Sequence, residues 1–241
     1  MVMRRPPIAQ RGVRGLGTVC RVVDPEQAMN RLNKDVGAVV RPLGFRGSRG
    51  NWVLVTPDGV AQVATSRRSL SGTIFAHVGI VVVPVAWWEY VNWRNAHWGR
   101  PSVAFGKDAL RHDIGFVETR RRPPTAYYHM RVDPGAYPAN VTTAEELERA
   151  AAALSGAAGV LARTAIDLLP PGRYLDALLS IPDIGYGMWE PVVVLLADRG
   201  PSDELEQAID DMCASYAEHG AERPDLVIEY ARARAADRVS A

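Results

Sequence analysis

At about residue 140 the hydrophobic pattern changes its period. Upstream, apolar residues alternate or run in short blocks bounded by Gly, Pro and Asp, as in strands joined by tight turns. Downstream they recur every three or four residues, as in helices. A chain whose strands come first and whose helices follow does not build the alternating layout of a parallel sheet. The pattern predicts an α+β fold: an antiparallel sheet of about five strands packed by an N-terminal helix, followed by a C-terminal helical subdomain. The expected division is a disordered basic arm over 1–23, a helix plus antiparallel sheet over 24–139, and a helical subdomain over 140–241 packed on the sheet.

Charge divides at the same place. Residues 1–139 carry 20 Lys+Arg against 9 Asp+Glu, a formal +11, and residues 140–241 carry 8 against 18, a formal −10. The total of +1 hides this asymmetry, which bears on partners and names no reaction. With 47% hydrophobic and 23% charged residues, a chain of 241 residues can bury a core without staples. Its two cysteines, Cys20 and Cys213, sit in unlike contexts, which fits a reducing cytosol rather than a disulfide framework. A cytoplasmic location is expected. The apolar run Val78–Ala86 is broken by Gly79 and Pro84 and has strand length, so no stretch is expected to cross a bilayer and no membrane partner is expected. Residues 1–23 hold five arginines, no acid and no apolar signal core. They read as a basic arm, or as residues ahead of a start at Met29.

Local signals place the elements. Asp24, Pro25 and Gln27 mark a helix start, and Met29, Leu32, Val36, Val39 and Val40 share one face. Pro42 and Gly44 stop this helix, with Leu43 and Phe45 as anchors. Strands are expected at Asn51–Thr56, Val60–Ser66 and Thr73–Val83, with turns at Pro57-Asp58-Gly59 and Ser71-Gly72. A helix is expected over 86–98, and further strands at Leu110–Glu118 and Thr125–Val132. Thr143 with Glu146 opens a helix running toward Leu169, a second piece covers Arg173–Ser180, Ser202 caps another, and Pro224 starts the last.

The segments Arg41-Pro-Leu-Gly-Phe-Arg-Gly-Ser-Arg-Gly-Asn-Trp-Val, Val60-Ala-Gln-Val and Phe75-Ala-His-Val-Gly-Ile, in that order, resemble a bacterial family known as a domain of unknown function (DUF4304-like). The resemblance is best over residues 26–81. It implies an opening amphipathic helix, an antiparallel sheet and a helical C-terminal region, and it brings no activity, cofactor or catalytic residue. The tryptophan-rich stretch 87–98 departs from the family pattern.

Three sets of residues are candidates for chemistry. Arg46 and Arg49 precede the first expected strand, and Arg67 and Arg68 end the second. A hairpin places these ends together as one guanidinium rim, suited to phosphates and carboxylates, to which Arg120–Arg122 add. The alternative is a rim that is solvated, or neutralised by the chain's own acidic helices. Trp87, Trp88, Trp93 and Trp98, with Tyr90 and Arg94, have the composition of an interface hot spot or a pocket wall; the plainer reading is a helix clamped on the sheet. His77, His112 and His129 lie on or near strands. Their spacing matches no metal-ligand motif, so no metal is expected, and a satisfied half-buried histidine is the plainer reading. A P-loop, a nucleophile elbow and a dinucleotide fingerprint in proper order are all missing, and no cofactor is expected.

The function expected on these grounds is that of a non-enzymatic cytosolic binding module. Its partner would be another protein, met by the arginine rim and the Trp87–Trp98 segment; an immunity- or antitoxin-type role suits such a module by analogy of fold. Two alternatives stay open. One is an enzyme of unrecognised type using the sheet histidines as acid or base. The other is nucleic-acid binding through residues 1–23 and the arginine rim.

Overall fold

The computed structural model describes residues 25–70, 73–112, 128–130, 144–182 and 184–239. The expected basic arm, Arg120–Arg122 and the Thr143 cap lie outside the described residues. The chain is α+β, with an antiparallel sheet in the order β1-β2-β3-β4-β5. The strands are β1 (Arg46–Ser48), β2 (Asn51–Thr56), β3 (Gly59–Leu70), β4 (Thr73–Pro84) and β5 (Tyr128–Met130). β3 and β4 pair along their whole length, from Gly59 opposite Pro84 to Leu70 opposite Thr73. They form the body of the sheet, and β1 and β5 are three-residue edges.

Strand alternation gives the sheet two unlike faces. Trp52, Val63, Ala61, Ala76, Val78, Ile80 and Val82 share one face by register and are all buried. Helices α1 (Pro25–Val40) and α3 (Ala144–Leu168) lie side by side and cover it. Leu32, Val36 and Val40 of α1 are fully buried there, as the sequence spacing predicts. The other face carries Asn51, Val53, Gln62, Ser66 and His77 by the same register, and a 3-10 turn over Ala109–His112 contacts part of it.

α2 (Val85–His97) follows β4 directly. Beyond it α4 (Arg173–Leu179), α5 (Trp189–Ala197), α6 (Asp203–Glu218) and α7 (Asp225–Val239) make a helical cluster around α5. Every residue of α5 from Pro191 to Ala197 is buried, because a helix apolar on all sides must be surrounded. Ser202 caps α6 by accepting the Leu205 N–H at 3.2 Å. At the corner after α1, Gly44 adopts φ +97° and its N–H closes on the Arg41 carbonyl, while Phe45 is fully buried.

Two expectations need correction. Residues 110–112, read as the start of a strand, belong to the 3-10 turn, where Trp87 donates its indole N–H to the His112 carbonyl at 2.6 Å. That tertiary bond competes with strand pairing and could not be read from alternation alone. Second, Glu148–Leu168 of α3 is long and apolar enough to cross a membrane by length and composition, with mean hydropathy 1.2. Its many alanines, with Leu154, Val160, Leu161 and Ile166, raise the average, although Ser155, Arg163 and Asp167 interrupt the apolar run. Here it is a core helix, with Leu154, Ala158, Leu161, Ala162 and Ala165 buried.

Candidate functional site

The β1–β2 hairpin and the end of β3 set out the basic side chains. Arg49 and Gly50 form a two-residue loop closed by the Ser48–Asn51 pair. The Gly50 carbonyl accepts the Thr65 N–H at 2.8 Å, which pins this turn against β3. A Cβ on Gly50 would lie 2.5 Å from the Thr65 hydroxyl, so only glycine permits the approach. Arg67 stands two residues along β3 from Thr65 and on the same face of the strand. Arg49 and Arg67 therefore line one recess of about 380 Å³, together with Thr65 and with Glu26, Met29, Asn30 and Asn33 of α1. The Thr65 hydroxyl donates to the Asn33 side-chain oxygen at 2.6 Å. Glu26 is engaged in an interaction of its own.

Arg46 does not join them. Its register partner is Val53, on the opposite face from Trp52, and its guanidinium donates to the Arg41 and Phe45 carbonyls at 3.2 and 3.3 Å. With Lys107 it borders a second, larger groove along β2, of about 630 Å³. Arg68 follows Arg67 and pairs with Phe75. The expected single rim is thus a correction: hairpin pairing brings the four positions to one edge, but alternation divides them between two faces.

Five of the eight arginines in the helical half have a carboxylate partner, and Arg149, Arg163 and Arg173 have none among the described residues. In the helical half Arg199 pairs with Asp176, Arg232 with Glu206, and Arg234 and Arg238 with Asp198. Among the described residues, Arg46, Arg49 and Arg67 have no carboxylate partner.

The tryptophans are mostly committed to the fold. Trp87 is buried. Trp88 is half-buried, donates to the Val103 carbonyl at 2.8 Å and meets Phe105 edge-on. Trp93 packs on Tyr230 of α7 and on His97. Trp98 alone of the four faces out, 48% exposed, with Arg94 and Arg100 over its ring at 5.4 and 4.6 Å. Beneath it, Glu190 of α5 accepts from the Tyr90 hydroxyl at 2.6 Å and from Arg94 at 2.9 Å. Burial, reinforced by the Glu190 carboxylate, pushes the Tyr90 phenol well above its ordinary range.

The histidines are spread out. His77 lies on β4 with Nδ1 2.5 Å from the Ser66 hydroxyl. His129 stands opposite Phe75 in the β4–β5 register. His112 belongs to the 3-10 turn. Among the described residues no group of His, Cys, Asp and Glu can hold a metal ion.

Sequence reading did not single out Asn30, Asn33 or Thr65. The signal for the first two was present: Glu26, Met29, Asn30 and Asn33 follow helical spacing, and two amides beside an apolar stripe mark a polar wall. Thr65 was legible only through the hairpin register.

Fold and site together define an α+β protein with an electropositive sheet edge. No family model, no curated protein and no solved structure matches the chain.

Proposed function

We propose that this chain is a non-enzymatic cytosolic binding module that engages an acidic surface of a partner protein through the β1–β2 edge. The observation that carries the reading is the pairing pattern. Five of the eight arginines of the helical half are neutralised within the fold, whereas Arg46, Arg49 and Arg67, gathered at one end of the sheet, all lack a carboxylate partner among the described residues. Guanidiniums gathered at an edge without internal counter-charges raise the local concentration of anionic partners and steer their approach. Arg41, in the turn between α1 and β1, adds to the set, donating to the Gly47 carbonyl of β1 at 3.4 Å.

Labelled poly-L-glutamate tests this. The wild type binds it more tightly at about 50 mM than at about 200 mM salt, by the screening that surface charge requires. An Arg46→Glu, Arg49→Glu, Arg67→Glu variant with an unchanged circular dichroism spectrum loses the binding. Equal binding by that variant, or binding indifferent to salt, removes the proposal. Single-stranded DNA of matched charge is the comparison. If it binds far more tightly than poly-L-glutamate, the nucleic-acid reading takes over.

A further inference from the structure

Arg49 is the one non-glycine residue with positive φ among the described residues, at +52°, and Gly50 beside it has φ +87°. A two-residue hairpin loop with both φ values positive is the I′ pattern, which favours Asn-Gly, Asp-Gly or Gly-Gly. A long cationic side chain there opposes the local backbone preference, because its Cβ crowds the following carbonyl. Asn in the same place would fold better, so chain reversal does not explain this arginine. What distinguishes the position is what it overlooks. The turn is pinned against Thr65, and the recess below it is walled by Arg67, Asn30, Asn33 and Thr65.

We propose that this recess is an oxyanion site in which Arg49 and Arg67 form a guanidinium pair that grips a carboxylate or phosphate group, with the α1 amides beside them. The proposal rests on the reading of the edge as an anion-seeking surface and narrows it to one pocket. Two planar forks offer up to ten N–H donors, and neither guanidinium is committed to a carboxylate among the described residues. A volume of about 380 Å³ admits the anionic group with a short stem attached. Glu26 on the wall disfavours a second negative charge at its own end, so the site is one-sided and orients what it binds.

The test is thermal unfolding of the full chain in inorganic phosphate, in succinate and in chloride at matched ionic strength. The wild type melts higher in phosphate or succinate than in chloride. The two arms tell phosphate from carboxylate as the preferred source. Comparison with Arg67→Gln removes any general salting effect, and this variant loses at least tenfold in apparent affinity. Arg49→Asn gives a double signature that a structural role would not: without anion it melts about 2–4 °C higher, through relief of the left-handed strain, and it no longer responds to anion. A full response in Arg67→Gln overturns the assignment, and so does an Arg49→Asn chain that melts lower without anion. Poly-L-glutamate binding by the same variants separates the two levels. If it stays intact while the wild type shows no oxyanion response, the recess fails and the edge reading survives. If the wild type binds no poly-L-glutamate, the edge reading itself fails.

Discussion

Replacing Glu190 tests how the front and rear of the molecule are joined. Its carboxylate receives both the Tyr90 hydroxyl and the Arg94 guanidinium, linking α2 to α5. Tyr90 is 1% exposed, and the Arg94 and Glu190 side chains are 23% and 22% exposed. Glu190→Ala leaves the Tyr90 hydroxyl buried without an acceptor, which costs about 1–3 kcal/mol. It also leaves Arg94 without its counter-charge. A fully buried pair so broken costs about 3–5 kcal/mol and a surface pair about 0–1, so this part-exposed pair lies near 2 kcal/mol. The combined loss is about 3–5 kcal/mol, or roughly 6–20 °C in melting temperature for a chain of this size. Tyr90→Phe keeps the ring packing against Trp87 and Tyr230, removes one bond, and costs about 1 kcal/mol. Urea unfolding of the two single variants and the double variant closes a cycle whose coupling is about 1 kcal/mol. A Glu190→Ala loss below about 0.5 kcal/mol, the size of an ordinary surface change, refutes the reasoning.

Alkaline pH gives a second prediction. Burial holds the Tyr90 phenol well above its ordinary range and pushes Tyr216 and Tyr230 up to about 12. Below pH ~10 these tyrosines stay protonated both folded and unfolded; above it the unfolded chain releases protons that the folded chain keeps, so stability falls between pH ~10 and ~12. The urea midpoint should drop across that window and drop less steeply in Tyr230→Phe; a midpoint that rises there contradicts it. Gly59→Ala places a Cβ 2.5 Å from the Val83 carbonyl and 3.0 Å from Leu169, and should cost about 1–3 kcal/mol in urea unfolding. Trp87→Ala should cost about 3–5 kcal/mol because the ring is buried, and Trp98→Ala under about 1 kcal/mol because half of it is in solvent. Equal losses at the two positions would mean that Trp98 belongs to the core.

Much of the architecture was legible because local chemistry and tertiary packing agree. The face of α1, the hairpin at Pro57-Asp58-Gly59, the Ser202 cap and the stop at Gly44 each combine a period with a punctuating residue, and each stands where the sequence put it. Residues 110–112 were misread because an alternating apolar run is also consistent with a short turn held by a distant indole. The site was legible in part. Hairpin pairing accounts for Arg46, Arg49, Arg67 and Arg68 being close along the chain fold, but the single rim expected of them fails because the face each takes depends on a register that the β1–β2 loop sets, and β1 was not expected as a strand. Trp87 and Trp98 share a helical face in the sequence. One is buried and the other exposed because that face runs from the sheet out into solvent, a gradient along the axis that spacing does not encode.

The opposed charges of the two halves suggest that they neutralise each other where they meet, and the ion pairs argue otherwise. Two described pairs join residues before 140 to residues after it: Arg94 with Glu190, and Glu89 with Arg234. In the first the front supplies the cation; in the second it supplies the anion. Each half therefore spends one charge of each sign on these contacts, and neither surplus shrinks. Among the described residues the junction is held by paired charges, while Arg46, Arg49 and Arg67 at the sheet edge keep no carboxylate partner. An excess held this way acts beyond contact distance, to about 8–10 Å at physiological salt, so it governs the rate at which a charged partner arrives more than the rate at which it leaves. Charge reversal at Arg67 should then slow association with poly-L-glutamate more than it speeds dissociation, and added salt should erase most of the difference between variant and wild type. A variant whose loss lay wholly in faster dissociation at every salt concentration would show that Arg67 acts by contact alone.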